Sequence, residues 1–197
     1  MKAALVLLAD DAVQNAVRKV VVRLGQQTGL RFYAALLPAH ISLKQPFPVD
    51  NLDKLDAYVD QLAASLAPFE VQMDNYYYEE WADMGILGLN VVETAALRSL
   101  HDRLNEELKT VVTDANAAHD GSGYHFHLTL EMAPLEQTTA LRDFFNFLPD
   151  PGHPLQFTAS KLAIFIYLDD RYLAGTFTTY RIVPLTGGKK PTVDSQL

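Results

Sequence analysis

The chain has 197 residues, enough for one domain with a substantial core or two small lobes sharing one. Apolar residues make up 49% and charged residues 20%, ordinary values for a globular protein, and no stretch approaches the length of an unbroken apolar membrane span. There is no cysteine, which excludes a disulfide frame, a thiolate metal site and a cysteine nucleophile, and a net charge of −8 with 16 basic residues scattered among 24 acidic ones argues against a long duplex nucleic acid as partner.

Residues 2–9 (KAALVLLA) read as a buried first strand; the acidic pair Asp10-Asp11 follows with no small-residue cleavage site, so the segment is not expected to be a signal peptide. Asp10 or Asp11 can cap a helix carrying Val13, Val17, Val20, Val21 and Leu24, ended by Gly25 and Gly29. Residues 31–37 read as a strand broken by Pro38, and residues 40–45 (HISLKQ) as another, ended by Pro46 and Pro48. An amphipathic helix spans Asn51 to Leu66, and strands are expected over 69–80 and 85–92. The spacing of Leu97, Leu100, Leu104, Leu108 and Val111 predicts a helix over 94–112, followed by a loop at 114–123 in which Gly121-Ser122-Gly123 is a turn. Residues 124–132 (YHFHLTLEM) alternate as a strand should, Pro134 opens a short helix through Phe147, and 149–154 is a loop. Two long strands, 155–168 and 172–183, turn near Asp169-Asp170 and finish the fold, and 185–197 is expected to be a flexible tail. The order βαββαββαβαββ implies an α+β domain over 1–184, with mostly antiparallel sheet and helices outside.

Two segments share one pattern: His40-Ile41-Ser42-Leu43 and His127-Leu128-Thr129-Leu130. On a strand, residues two apart face the same way, so each segment presents an imidazole beside a hydroxyl and buries two apolar side chains behind them. From the composition, two such matches by accident have odds on the order of one in a hundred. Breaking a phosphodiester requires a base for the attacking oxygen and an acid for the departing one, and two imidazoles can divide that work near neutral pH. In-line displacement sets the two on opposite sides of phosphorus. Ser42 and Thr129 can then hold the non-bridging oxygens, with no metal or other cofactor needed.

On these two motifs, with Pro38-Ala39 before the first and Lys44-Gln45-Pro46-Phe47 after it, the chain resembles the two-histidine (2H) phosphoesterases. These include bacterial 2′-5′ RNA ligase-like proteins and cyclic nucleotide phosphodiesterases. The resemblance implies a bilobal fold with two sheets facing a central groove, one motif in each lobe. It implies His40 and His127 as the catalytic pair, with Ser42 and Thr129 as their hydroxyl partners. The implied substrate is a small nucleotide or RNA-end phosphate ester, such as a 2′,3′-cyclic phosphate or a 2′-5′ linkage. Ligase-like members often carry a basic residue shortly after the second motif; Glu131 and Met132 stand there instead, which weighs against a long RNA substrate.

Lys44 shares the face of His40 and Ser42 by strand periodicity and is expected to meet a phosphate. His125 shares the face of His127 and is expected to touch substrate or orient that ring. Tyr76, Tyr77 and Tyr78 can stack on a base or fill a core. The acidic pairs Asp10-Asp11, Glu79-Glu80 and Asp169-Asp170 read as caps and turns, and His101 and His153 carry no assigned role. Two alternatives stand beside this reading: a groove that binds a nucleotide or RNA end without turnover, and a zinc site built from His119, His125 and His127. A cytoplasmic monomer without membrane contact is the expected setting.

Overall fold

The computed structural model describes residues 1–81, 84–113, 115, 120–149, 155–168 and 176–187. Strand β1 (Lys2–Leu8) leads into helix α1 (Asp11–Thr28), whose N-terminus is capped by the Asp10 carboxylate accepting from the Val13 N–H at 2.9 Å. Gly29, at φ 71°, ends α1 in the left-handed conformation that glycine adopts without steric cost. Then follow β2 (His40–Pro48), α2 (Leu52–Ser65), β3 (Phe69–Glu80), β4 (Met84–Val91), α3 (Ala95–Glu107), β5 (His127–Pro134), α4 (Thr138–Phe147), β6 (Leu155–Ala159), β7 (Lys161–Tyr167) and β8 (Phe177–Pro184). No helix among the described residues is long and apolar enough to cross a membrane.

The strands form one sheet in the order β6-β3-β4-β5-β2-β1-β7-β8. The expected pair of sheets is therefore a single antiparallel sheet with two halves. The halves meet between β2 and β5, where only Ile41 and Leu128 are paired. Further stitching comes from the helices: α1, which links β1 to β2, packs on β5, and α3, which links β4 to β5, packs on β2. Each half thus lends a helix to the other. One large apolar cluster fills the space between helices and sheet, including Leu5, Leu7, Ile41, Leu43, Leu128, Leu130 and Ile164. The opposite residues of β1 and β7 (Ala4, Val6, Leu8, Ala163, Phe165 and Tyr167) form a second apolar cluster. Strand β1 is hence buried on both faces, which accounts for its nearly continuous apolar sequence.

Several expectations from the sequence need correction. Residues 31–37 are not a strand: Ala34–Leu36 form a 3-10 turn. The N–H groups of Tyr33 and Ala34 are taken by the Glu131 carboxylate, at 2.9 and 2.7 Å, rather than by a strand ladder. The apolar run 155–168 is two strands, split at Ser160 and lying on different halves of the sheet, β6 beside β3 and β7 beside β1. A single residue between strands so far apart in sheet order requires the sheet to curl until those strands approach. Strand β5 begins at His127 rather than 124. Residues 185–187 are held to the domain, since the N–H groups of Leu185, Thr186 and Gly187 donate to Ser160, Ala63 and Leu66 carbonyls. The expected turn at Asp169-Asp170, the His153 loop and the tail from 188 onward lie outside the described residues.

Candidate active site

The junction between the halves is also where the two motifs lie. Ile41 and Leu128 are the central residues of His-Ile-Ser and His-Leu-Thr. Continuing that antiparallel register sets His40 across from Thr129 and Ser42 across from His127. Ile41 and Leu128 are fully buried on the helix side. The four polar side chains therefore share the other face, where all of them line one cavity of about 160 Å³.

Each imidazole is held the same way. His40 Nδ1 lies 2.8 Å from the Pro38 carbonyl, and His127 Nδ1 lies 3.0 Å from the His125 carbonyl. A carbonyl can only accept, so Nδ1 carries the hydrogen in both rings and Nε2 is the nitrogen left to take or give a proton. Both rings are braced by an aromatic edge: Phe165 against His40 at 4.7 Å between centroids, and Tyr77 against His127 at 5.7 Å. Tyr77 stands on β3, and β4 lies between it and His127. Its Cα partner on β4 is Gly88, where a Cβ would fall 2.5 Å from Tyr77 Cε1 and 2.8 Å from the Leu128 carbonyl oxygen. The bare glycine lets the phenol ring lie across the strand.

The two histidines are not electrostatic equals. Burial pushes His40 down to about 4, outweighing the Pro38 hydrogen bond, and the neighbouring His127 lowers it further. His127 is also held below the ordinary histidine value, first by burial and then by the His125 imidazole, while its bond to the His125 carbonyl and the Glu79 carboxylate pull the other way. His40 is thus firmly neutral at pH 7 and His127 has the nearer route to a cation. Among the described residues, neither the Ser42 nor the Thr129 hydroxyl has a protein hydrogen-bond partner, so both can donate to a ligand in the cavity.

Lys44 does not share that face. The pairing of β1 with β2 slips between Leu5 and Val6, so that Leu5 pairs with Lys44 but Val6 with Ser42. This bulge turns Lys44 away from the groove. It is fully buried and its Nζ bonds to Asp120 at 2.5 Å and Asn105 at 2.6 Å. Nearby, His101 is fully buried, with Nδ1 on the Leu43 carbonyl at 2.8 Å and its ring stacked on Tyr124. His125 is exposed; its ring sits 5.8 Å from that of His127 and outside the cavity lining, so its contact with the second motif is chiefly the backbone carbonyl.

Of the other lining residues, Leu37, Trp81, Met84, Tyr167 and Phe177 carried no signal in the sequence. One wall includes Leu37, Tyr167 and Phe177, the other Trp81, Met84 and Met132, and Gln45 sits between them. Gln45 is tied to the second motif's approach, since its Nε2 donates to Tyr124 Oη at 3.2 Å and Tyr124 Oη donates to the Ser42 carbonyl at 3.0 Å. Among the described residues no three metal-ligating side chains gather; His119, part of the zinc alternative, lies outside them.

The sequence and the fold have counterparts. A family model described as the 2′-5′ RNA ligase superfamily matches residues 9–171. No curated protein sequence matches the chain. Among solved structures, TT0787 of Thermus thermophilus aligns with a TM-score of 0.59 and 16% identity over 96% of this chain and 100% of its own. Escherichia coli LigT complexed with 3′-AMP aligns with a TM-score of 0.56 and 16% identity over 94% of this chain and 97% of its own. Kluyveromyces marxianus Usb1 aligns with a TM-score of 0.54 and 15% identity over 93% and 97%.

Proposed function

The chain belongs to the 2′-5′ RNA ligase superfamily, and so to the 2H phosphoesterases, and from that premise we propose that it is a phosphodiesterase acting on a small nucleotide-like ester such as a 2′,3′-cyclic phosphate or a 2′-5′ linkage. The observation that carries the reading is the shared arrangement of the two motifs: both imidazoles fixed through Nδ1, both with Nε2 unspent, and both beside a free hydroxyl in one cavity. The binding of 3′-AMP by LigT and of uridine monophosphate by another Usb1 structure agrees with a nucleotide-sized substrate.

The asymmetry of the pair supports a division of labour. His40, held neutral by burial, is the base; His127, also lowered by burial but with the His125 carbonyl and Glu79 opposing that shift, is the acid. For a cyclic phosphate, water oxygen bonds to phosphorus as one ring P–O bond breaks. The water proton goes to His40 Nε2 and the His127 Nε2 proton goes to the departing oxygen. The product is a monoester, and the protons re-equilibrate through solvent. Ser42 and Thr129 donate to the non-bridging oxygens, where charge accumulates.

The test is product formation from a panel of 2′,3′-cyclic nucleotides and 2′-5′ dinucleotides with EDTA present, for wild type, His40→Ala and His127→Ala. Turnover that falls by about 10²–10⁴ in each variant supports the reading, that being the usual worth of a positioned acid or base. Tight binding without turnover would leave a nucleotide-binding protein, and turnover restored only by zinc would favour the metal alternative.

A further inference from the structure

The cavity around the two motifs has an unusual charge balance for a site that handles phosphates. Among the described residues, no Lys, Arg, Asp or Glu lines it. The basic side chain nearest in sequence to the first motif, Lys44, is committed to Asp120 and Asn105 on the far side of the bulge. The position two beyond Leu130 places Met132 in the lining. With His40 neutral, no described lining residue brings fixed positive charge to the groove at neutral pH. Gln45 adds to this: with its Nε2 bonded to Tyr124, it brings a neutral amide rather than a cation to the lining.

The flanks are apolar on both sides of the motifs. Leu37 and Phe177 extend the second apolar cluster toward His40, and Met84 and Met132 stand beside His127 and Thr129. A phosphate placed at the motifs therefore has apolar walls to either side.

We propose that the groove selects a phosphodiester bearing one negative charge between two uncharged substituents, and discriminates against substrates that bring a second phosphate into the groove. The inference rests on the phosphodiesterase reading above. Two hydroxyls and one imidazolium can offset a single negative charge. A second one has to surrender its hydration to apolar walls with no cation among the described lining residues in exchange.

The test compares two probes with the same reacting bond: a nucleoside 2′,3′-cyclic phosphate, and the same nucleoside 2′,3′-cyclic phosphate carrying a 5′-phosphate. Both are assayed at one ionic strength with wild type and Met132→Arg. The wild type is expected to turn over the first with kcat/KM about tenfold or more above the second, the size of one uncompensated charge contact. Met132→Arg is expected to narrow that ratio, with most of the change in KM. If the wild type turns over both probes equally, or favours the doubly phosphorylated one, the inference fails while the phosphodiesterase reading stands. If neither probe reacts, the inference fails, and the 2′-5′ dinucleotides of the panel decide whether the phosphodiesterase reading fails with it. The wild-type ratio decides the matter even if the arginine variant does not fold.

Discussion

The ring of Tyr77 lies across the bare backbone of Gly88 and meets His127 edge-on. A methyl group at Gly88 would collide with both that ring and the Leu128 carbonyl, so Gly88→Ala must push Tyr77 off its track. Overpacking of this kind costs about 1–3 kcal/mol. The expected outcome is a lower Tm and a fall in kcat, because His127 loses its brace. Tyr77→Phe keeps the ring edge and is expected to retain most activity, whereas Tyr77→Ala is not. Steady-state kinetics of the three variants separates the ring contact from the hydroxyl.

His40 makes both activity and stability depend on pH. Its value in the folded protein is lowered to about 4 from 6.5, so the folded state favours the neutral ring. The stabilisation is complete above about 6.5 and is lost as pH falls toward about 4, amounting to about 3 kcal/mol over that window. Urea midpoints measured from pH 7 down to pH 4 should fall in wild type and fall less in His40→Ala. For kcat/KM, the base requires pH above about 4 while the acid requires pH below the lowered value of His127. The optimum is therefore acidic, below 6.5, and an optimum at pH 8 would contradict the assignment of base and acid.

Lys44 is a structural residue in this geometry. Lys44→Met leaves Asp120 without its cation in a buried setting, and breaking a buried pair from one side costs about 3–5 kcal/mol. Pairing it with Asp120→Leu should recover part of the loss. In whatever fraction stays folded, KM for a cyclic phosphate should remain near the wild-type value. A large rise in KM without a change in Tm would mean that Lys44 reaches the substrate.

Glu131 ties the second motif's strand to the groove wall. One carboxylate oxygen accepts from the N–H groups of Tyr33, Ala34 and Met132, while the other is buried without a partner. Burial pushes this carboxyl above the ordinary range, partly offset by those bonds. Glu131→Ala strands three donors and should cost about 1–3 kcal/mol for each one that stays unsatisfied. It should also raise KM, since Tyr33 and Ala34 line the cavity. Glu131→Gln keeps an acceptor and should lie close to wild type; hydrogen exchange at the Tyr33 and Ala34 amides would register the difference.

The parts of this molecule that obey strand periodicity were legible in the sequence. His40, Ser42, His127 and Thr129 share a face because β2 and β5 alternate regularly through the motifs. Lys44 broke the pattern because the slip that reverses it is specified by pairing with β1, which leaves no local mark. The segment 31–37 has the aromatic and aliphatic residues of a strand, but a carboxylate nearly a hundred positions later captures its donors. Tyr77 and Gly88 could not be linked from sequence, since their contact depends on the register of β3 against β4. The single sheet was hidden for a related reason: one residue pair joins its halves.

The near-dyad at Ile41 and Leu128 has a consequence for regiochemistry. With His40 as base and His127 as acid, the side on which an oxygen enters and the side on which one leaves are set, but not which ester oxygen of the substrate lies beside His127. Which ester bond is cut must then be dictated by the unlike flanks, Leu37 and Phe177 on one side, Trp81 and Met84 on the other. Exchanging side chains between those flanks would redirect cleavage from one oxygen of a substrate to another, while the chemistry at the centre stayed the same.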